Sequence, residues 1–294
     1  MKRVLVIVVT YNGMRWLERC LGSVQADADL YVFDNDSTDG SADFVEKNYP
    51  QAKLIRSAGN LGFSRPNNLG MQYALDKGYD YVYLLNQDAW LEPGALDKLL
   101  AVADAHPEYG LLSPLQMTDG YRQLDKQFGM RYTRPYGPRY DKKAVIPSEA
   151  RESLVVPVCS VMAAHWLVPV PVIRRIGLFN EEIFPHWGQD DDWCNRLHFC
   201  GLKIGVVPAA RAVHDRAYRK DSLETLLKRN YYTGSLMRLA NPCKPLLLQW
   251  AFVFLFTLVK TVKYRSLLTF KYFGQICRQT SQIKSARARG MSAR

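Results

Sequence analysis

Polar residues that could contact a nucleotide follow apolar runs in the first third of the chain. The run YVYLL is followed by Asn86, Gln87 and Asp88, and the earlier run DLYVFD ends on Asp34 and is followed by Asn35. Amides and carboxylates can hydrogen-bond the edge of a base or a ribose, and arginine can bind a phosphate. The residues that these segments offer to such a ligand are Thr10, Tyr11, Asn12, Asp34, Asn35, Asn60, Gly62, Arg65, Asn68, Asn86 and Gln87.

Each of these segments also has a purely structural interpretation. A tyrosine at a strand end often packs against its neighbours, Ser37 to Gly40 would make a good helix cap and turn, and Asn86 to Asp88 could simply begin a turn. A binding role is favoured because three or four consecutive strands would bring such groups to one edge of one sheet. Ligands of open α/β sheets bind at that edge, beyond the carboxyl ends of the strands.

The elements that must position these residues alternate between strand and helix. Short runs rich in β-branched and aromatic residues predict strands, and apolar residues at helical spacing predict helices between them. The pattern therefore predicts an α/β fold with a largely parallel sheet covered on both faces. The predicted strands are 3–9, 29–34, 52–57 and 79–86, and the predicted helices are 13–25 and 66–78.

The second half of the chain predicts further helices and strands around a polar segment. A helix is expected within 94–110, an apolar stretch over 154–168, and a helix within 190–201 that is followed by the strand KIGVVP. Residues 118–150 are polar, basic and rich in Tyr, Pro and Gly. We expect them to form a mobile loop or small hairpin over the site.

Composition and short motifs exclude several classes of protein. A chain of 294 residues with 48% hydrophobic content can bury a large core. The turn after the first predicted strand, VVTYNG, lacks G-x-G-x-x-G, which argues against a nicotinamide or flavin enzyme. The six cysteines include no CxxC pair, so we expect reduced thiols in the cytoplasm and no structural zinc site. The first residues predict a strand and not a signal peptide.

The motifs VVTYNG, FDNDSTDGS, NLGFSRPNN, LLNQDAW, GLFNEE and GQDDDWCNRL, followed by a late histidine, occur in that order. In this order and spacing they resemble the family 2 glycosyltransferases with the GT-A fold, and most closely their rhamnosyltransferase-like branch. The resemblance covers about residues 3 to 220. It implies a catalytic domain over 1–224, whose half 1–95 binds the nucleotide sugar and whose half 96–224 binds the acceptor and carries the catalytic residues.

The resemblance also implies a divalent metal, Mg²⁺ or Mn²⁺, that holds the diphosphate of the donor. Asp88 matches the last carboxylate of the family's metal motif, and Asn86 is a weaker contact. His214 matches a position that the family often uses for the metal or the diphosphate, and Arg216 and Arg219 could meet phosphate. Such a metal stabilises the negative charge that develops on the leaving diphosphate.

The catalytic base is expected at the start of a helix. The resemblance aligns Asp190 with the usual base and Asp192 with a second acid, and Asp191 is a further candidate. Gln189 stands where the family usually has Glu. Acidic residues in a first turn also stabilise the helix itself, so any of the three aspartates could be a cap. Trp187 could stack on an acceptor sugar or be a rim aromatic.

We therefore expect a metal-dependent inverting glycosyltransferase. Its donor would be a UDP- or dTDP-sugar and its acceptor a hydroxyl of a glycan or lipid-linked glycan, in cell-surface polysaccharide synthesis. A nucleotidyltransferase would need a Gly-rich, Lys-bearing first loop, which TYNGMRW lacks. A silent sugar-binding scaffold at the membrane is a third possibility, and the retained Asp88 and Asp190 argue against it.

The last 70 residues, 225–294, have a different charge from the rest. They hold 13 Lys and Arg and no acidic residue, whereas residues 1–224 hold 26 basic and 28 acidic residues. The apolar run 245–259 is shorter than the roughly 20 residues of a bilayer span. We expect a basic amphipathic helical tail that attaches the enzyme to the anionic inner face of the cell membrane, or packs on the catalytic domain or a second subunit in a homodimer. No nucleic-acid-binding module is recognised.

Overall fold

The structure is a computed structural model that describes residues 2–118, 120, 123–132, 154–215 and 222–292. Most of the segment 118–150, for which a loop or hairpin is predicted, lies outside the described residues, as do Arg216 and Arg219.

The first half of the chain forms four parallel strands, as the sequence predicts. They lie side by side in the order β3-β2-β1-β4, and each connection between them contains a helix. Their bounds are β1 Val4–Thr10, β2 Asp29–Asp34, β3 Lys53–Arg56 and β4 Tyr81–Asn86, and the helices are α1 Met14–Gly22, α2 Ser41–Asn48 and α3 Ser64–Lys77.

The second half continues the same sheet with strands of both directions. It contains β5 Ala89–Leu91, β6 Tyr109–Met117, β7 Val156–Val158, β8 His165–Pro169 and β9 Lys203–His214, with the helices α4 Ala95–Ala105, α5 Lys126–Tyr132, α6 Val170–Ile176 and α7 Gln189–Phe199. β8 is antiparallel to β4 and β6, while β9 is parallel to β6 and antiparallel to β5 and β7. The sheet is thus mixed, with the parallel strands β1 to β4 at one end.

The sequence does not reveal β5 and β6, for two different reasons. β5 has three residues, too few to show a pattern. All nine residues of β6 are buried, including Ser113, Pro114 and Gln116, so its side chains do not alternate between apolar and polar.

Alternate residues of the central strand β1 pack on opposite layers of helices. Leu5 and Ile7 belong to the core cluster that contains residues of α3, α6 and α7. Val4, Val6 and Val8 belong to the cluster that contains residues of α1 and α4. Because both faces of the sheet are covered, β1 is apolar at every position from Val4 to Val9.

Helices after Ser222 pack on the remainder of the chain. They are α8 Leu223–Leu227, a π-helical turn Lys228–Thr233, α9 Gly234–Ala240, α10 Leu246–Tyr264, α11 Leu268–Arg278 and α12 Thr280–Ser292. Their core contains Leu236, Val253 and Ile283, and it includes Ile183 and Phe184, which precede α7. The Arg287 guanidinium donates to the main-chain carbonyls of Asn241 and Lys244. The packed appendage is one of the alternatives that the sequence left open.

Helix α10 is longer than the apolar run that predicts it. The helix has 19 residues, Leu246–Tyr264, whereas the apolar run ends at 259. The additional residues at its end include Lys260 and Lys263. Within the described parts of the chain, it is the one helix whose length and composition would allow it to cross a membrane.

Candidate active site

Three of the parallel strands end side by side and form one wall of a cavity. Thr10 of β1 pairs with Asp34 of β2, and Val9 of β1 pairs with Asn86 of β4. The strand-end cavity has a volume of about 440 Å³. It is lined by Val9, Tyr11, Asn35, Asn60, Gly62, Phe63, Asn86, Gln87, Asp88, His186 and Trp187. Most of the residues predicted to contact a nucleotide thus lie together.

Gln87 connects the ends of β1 and β4. Its Oε1 accepts hydrogen bonds from the Thr10 hydroxyl and the Tyr11 main-chain N–H, both at 2.8 Å, and its Nε2 donates to the Tyr11 carbonyl at 3.2 Å. A Cβ atom on Gly13 would lie 2.2 Å from the same Oε1. Thr10 and Gln87 therefore fix the geometry of the cavity wall, and Gly13 is a required neighbour that the sequence analysis did not identify.

Asp34 presents one carboxylate oxygen without a partner. The residue is 3% exposed, its Oδ2 accepts from the Ser37 N–H at 3.0 Å, and its Oδ1 is buried with no hydrogen bond among the described residues. Asn12 adopts a left-handed conformation with φ of 48°, and its Oδ1 accepts from the Thr38 N–H at 2.9 Å. Asn12 therefore orders the 36–38 turn, and Asp34, which is buried below that turn's N–H groups, is not among the residues that line the strand-end cavity.

Asn35, Asn60 and Gly62 line the cavity and are joined by hydrogen bonds. Asn35 donates to the Gly62 carbonyl at 2.7 Å and accepts from the Leu61 N–H at 2.8 Å. Asn60 accepts from the Gly62 N–H at 2.9 Å. Gly62 has a φ of 82°, and a Cβ there would lie 2.7 Å from the Pro185 carbonyl oxygen, so glycine is required for two reasons.

Arg65 and Asn68 lie away from the strand-end cavity. The Asn68 amide is buried against Phe179, donating to its carbonyl at 2.9 Å and accepting from its N–H at 2.8 Å. Arg65 lines a separate cavity of about 720 Å³ together with Arg174 and Arg289. The sequence analysis predicts both residues as donor contacts because they follow the third strand, whereas in the structure they belong to helix α3 and line the separate cavity.

Asp88 and His214 meet between two neighbouring strands. Ala89 of β5 pairs with His214 of β9, and the Asp88 Oδ1 lies 3.5 Å from the His214 Nε2. Asp88 is partly exposed to the cavity, whereas His214 is 5% exposed and its buried Nδ1 has no hydrogen bond within the described chain. A carboxylate and an imidazole that converge in this way can both bind a divalent cation.

The number of protein ligands fits a metal that is shared with a substrate. Among the residues that the structure describes, no cluster of three or more His, Cys, Asp or Glu side chains could enclose an ion. Mg²⁺ sites on phosphorylated substrates use one or two protein carboxylates, and phosphate oxygens and water supply the remaining ligands. Asp88, with His214 beside it, suits that kind of site.

A buried histidine lies under this pair. His165 is fully buried, with Nε2 2.9 Å from the Val213 carbonyl oxygen and Nδ1 2.9 Å from the Tyr83 hydroxyl. Since a carbonyl only accepts, Nε2 carries the proton and Nδ1 accepts from Tyr83. Burial lowers the pKa of His165 to about 3, so the ring is neutral. It supports β9 next to His214 without entering the cavity.

A second cavity adjoins the first. It has a volume of about 580 Å³ and shares Phe63, Asn86, His186 and Trp187 with the strand-end cavity. We call it the acceptor-side cavity because most of its lining residues lie within 96–224, where the sequence analysis predicts the acceptor site. Asp190 and Asp191, both half-buried, line it together with His214. Trp187, 39% exposed, therefore lies where the two cavities meet.

Asp192 turns away from both cavities. It is buried, and its carboxylate lies 3.0 Å from the Arg196 guanidinium one helical turn later. Burial raises the pKa of Asp192, although Arg196 opposes the rise. Arg196 also donates to the carbonyls of Ile176 and Leu178 at 2.8 and 2.9 Å. Asp192 thus holds α7 to the segment after α6.

Several cavity residues carry no signal in the sequence analysis. Arg229, Asn230 and Thr233 reach the acceptor-side cavity from the π-helical turn, and Gln127 and Met130 reach it from α5. π-helical turns are frequent at functional sites, but no local residue pattern predicts one. His186 also lines both cavities, and the sequence analysis does not identify it as a candidate.

Sequence comparisons relate most of the chain to known glycosyltransferases. The model of glycosyl transferase family 2 matches residues 5–149. N-acetylglucosaminyl-diphospho-decaprenol L-rhamnosyltransferase of Mycobacterium tuberculosis is 30% identical in an alignment of length 235 that covers 72% of this chain and 76% of that protein. The dTDP-rhamnosyl transferase RfbF of Shigella flexneri is 22% identical over 215 residues, which are 72% and 68% of the two chains.

Comparisons of structure show the same fold at low identity. GalNAc-T7, solved with UDP, GalNAc and Mn²⁺, has a TM-score of 0.57 at 15% identity, over 84% of this chain and 52% of that one. Residues 1–349 of S. aureus TarS, solved with UDP-GlcNAc, have a TM-score of 0.53 at 16% identity, over 84% and 69% of the two chains.

Proposed function

Because this chain belongs to glycosyl transferase family 2 and is similar to its rhamnosyltransferases, we propose that it transfers a sugar from a nucleoside-diphosphate sugar to a lipid-linked glycan. One observation carries the proposal: a nucleotide-compatible cavity and a cavity lined by carboxylates adjoin, with Asp88 and His214 where they meet. A donor and an acceptor could thus be held on opposite sides of one reacting carbon.

The donor would occupy the strand-end cavity. The exposed Tyr11 ring can stack on the base, and the Asn86 amide, which lines both cavities, can hydrogen-bond the donor. A UDP- or dTDP-sugar is the proposed donor, since one relative is named as a dTDP-rhamnosyl transferase and the TarS and GalNAc-T7 structures contain UDP or UDP-GlcNAc.

A divalent cation, Mg²⁺ or Mn²⁺, would be bound by Asp88, with His214 as a further ligand. When bound, it would supply positive charge to the diphosphate oxygens as the sugar leaves. The Asp88 carboxylate would otherwise face that diphosphate with like charge. The GalNAc-T7 structure, which contains Mn²⁺, also supports the proposal.

The base would be Asp190, with Asp191 as the alternative. The carboxylate accepts the proton of the acceptor hydroxyl while that oxygen bonds to the anomeric carbon, and the bond from that carbon to the diphosphate oxygen breaks. Attack from the face opposite the diphosphate inverts the configuration. Asp192 is already paired with Arg196, so it would support the helix and leave the proton transfer to its neighbours.

The acceptor would enter the second cavity, past Trp187 and the π-helical turn. A lipid-linked glycan is proposed because the 30%-identical relative is named for transfer to a sugar on a decaprenol diphosphate. Such an acceptor would place the enzyme at the cytoplasmic face of the cell membrane, in cell-surface polysaccharide synthesis.

Donor binding can be tested by thermal melting with UDP- and dTDP-sugars, with and without Mn²⁺. A ligand at about 100 times its Kd stabilises the native state by about 2.7 kcal/mol, so Tm should rise by several degrees. We expect one nucleotide to raise Tm only with metal, and Asp88→Ala to abolish the rise. Asp76→Ala, at an exposed position on α3, is the control. No rise with any donor would contradict the proposed donor site.

Catalysis can be tested separately from binding. Asp190→Asn should retain the metal-dependent rise in Tm and lower turnover with a lipid-linked acceptor by about 100-fold or more, as expected when a general base is lost. If Asp190→Asn turns over normally and Asp191→Asn does not, Asp191 is the base. If both variants retain normal turnover, the proposed base is wrong.

A further inference from the structure

One side of α10 exposes only apolar residues. Leu247 is 83% exposed, Leu255 60% and Val262 78%. These residues and their exposed apolar neighbours recur every three or four positions. That spacing places them on one face of the helix. We call this set the apolar face, and it consists of Leu247, Leu248, Ala251, Leu255, Leu258, Val259 and Val262, extended by Phe254 beside it and by Leu267 and Phe270 at α11.

The opposite side of α10 is fixed to the protein. Gln249, Val253 and Thr257, spaced one turn apart, are its buried residues. Thr257 makes a hydrogen bond of 2.6 Å with Tyr231 of the π-helical turn, and Val253 packs in the cluster of the C-terminal helices. A surface helix in water normally turns its apolar residues inward, so this helix has the opposite arrangement.

This arrangement fits a helix that lies in a membrane surface. A helix that crosses a bilayer presents its whole circumference to lipid or to other membrane segments. α10 is held along one side by protein from Gln249 to Thr257, so the other side alone is available. Its length permits either arrangement, and its contacts favour the interfacial one.

Basic residues border the apolar face. Lys244 precedes α10, Lys263 and Arg265 lie between the α10 and α11 parts of the face, and Lys271 follows Phe270; all four are exposed. The sequence has no acidic residue after Glu224 that could balance them. A surface that combines exposed apolar side chains with surrounding cations is complementary to a bilayer with anionic headgroups.

We propose that the apolar face of α10 and α11 docks on an anionic lipid bilayer, with α10 lying in the plane of the membrane surface. The π-helical turn links this face to the active site, because Tyr231 contacts α10 while Arg229 and Asn230 line the acceptor-side cavity. Delivery of a lipid-linked acceptor to that cavity rests on the proposed function, whereas docking itself does not.

Docking is tested with the full-length protein and vesicles in flotation assays, without donor or acceptor. The vesicles contain phosphatidylcholine alone or with 30% phosphatidylglycerol. We expect tighter binding to the anionic vesicles, weakened at 0.5 M NaCl. Leu255→Asp with Val259→Asp should lower the partition coefficient on the order of 100-fold. The substitutions remove apolar area that would be buried in the membrane, and the anionic lipid repels the added negative charges. Lys263→Glu with Lys271→Glu should lower it at least tenfold on anionic vesicles.

A matched control replaces two exposed leucines elsewhere. Leu69 and Leu154 are 43% and 56% exposed and lie outside the C-terminal helices. Leu69→Asp with Leu154→Asp should bind vesicles within about twofold of the wild-type protein. Equal loss in this control would show that binding is a general effect of surface charge and would overturn the proposal.

Two other outcomes would also overturn it. One is wild-type protein that fails to float with anionic vesicles. The other is a dimer in light scattering that the Leu255 and Val259 substitutions dissociate while vesicle binding is unchanged, because a second copy would then cover the apolar face. Metal-dependent donor binding is measured separately, so failure of docking and failure of the proposed activity remain distinguishable.

Discussion

Gly13 carries no side chain because the Gln87 amide occupies the space beside it. The φ of Gly13 is −103°, which any residue adopts, so the restriction is steric and not conformational. Gln87 in turn fixes the relative positions of the β1 and β4 ends through three hydrogen bonds. Gly13, which lines neither cavity, thus leaves the space that Gln87 needs to shape the strand-end cavity.

Gly13→Ala should therefore lower the free energy of unfolding by about 1–3 kcal/mol, because the displaced Gln87 loses hydrogen bonds at a partly buried site. Chemical denaturation measures the change. The same substitution in a Gln87→Ala background should cost less, and Gly59→Ala, where a Cβ has no neighbour within 4 Å, is the control. Equal costs in both backgrounds would mean that Gln87 is not the cause.

His165 should make stability depend on pH. Burial lowers its pKa in the folded protein to about 3, with His214 acting in the same direction and Asp88 and the Val213 carbonyl opposing it. The unfolded chain, with an ordinary histidine pKa of about 6.5, binds a proton that the folded protein does not. Stability attributable to His165 is therefore present above pH 6.5 and is lost as pH falls toward 3, at up to about 1.4 kcal/mol per pH unit.

This pH dependence is measured by denaturation between pH 7 and pH 4.5. His165→Gln should reduce the slope of stability against pH, whereas His198→Gln, at an exposed histidine, should leave it unchanged. A slope that survives in His165→Gln would assign the effect to other groups.

Helix α7 places three consecutive aspartates in different environments. A helix turns about 100° per residue, so Asp190 and Asp191 face the acceptor-side cavity while Asp192 points into the core. Asp192 binds Arg196, which is also buried and donates to two carbonyls. The acidic run alone cannot show which aspartate faces which way.

Asp192→Ala should destabilise the protein by about 3–5 kcal/mol, because it leaves the buried Arg196 without its charge partner. Asp190→Ala, at a half-buried position, should change stability much less. Denaturation curves of the two variants measure the difference. If Asp192→Ala retained its stability and lost transfer activity, Asp192 would have a chemical role that its ion pair does not indicate.

At the scale of the whole molecule, the C-terminal helices share a core with the segment that leads into the active site. Ile283 of α12 belongs to the same buried cluster as Ile183 and Phe184, which precede α7. The tail predicted for 225–294 is thus integrated with the remainder of the chain by packing, while its exposed side is apolar and basic.

We expect unfolding in a single transition in which these helices and the sheet unfold together. Ile283→Asp, which buries a charge in the shared core, should lower the Tm of that whole transition, at a cost of about 3–5 kcal/mol. Met291→Asp is the control, since Met291 is 51% exposed on the same helix. Calorimetry that resolves a separate early transition for the helices would contradict this expectation.

The sequence by itself determined the parallel strands, the connecting helices and the polar residues at the strand ends. These features depend on residues close together in the chain, because side-chain period and turn chemistry are local. The family resemblance rests instead on the order of motifs over about residues 3 to 220. Homology to glycosyl transferase family 2 then confirmed the fold class and the type of enzyme.

Only the tertiary structure decided which candidate residues meet. It brought His214 to Asp88 across β5 and β9, moved Arg65 and Asn68 to another surface, and turned Asp192 into the core. It also turned the apolar side of α10 outward. Each of these placements depends on how strands pair or how a helix is rotated. Contacts between distant segments set both, so the residues of one segment alone do not reveal them.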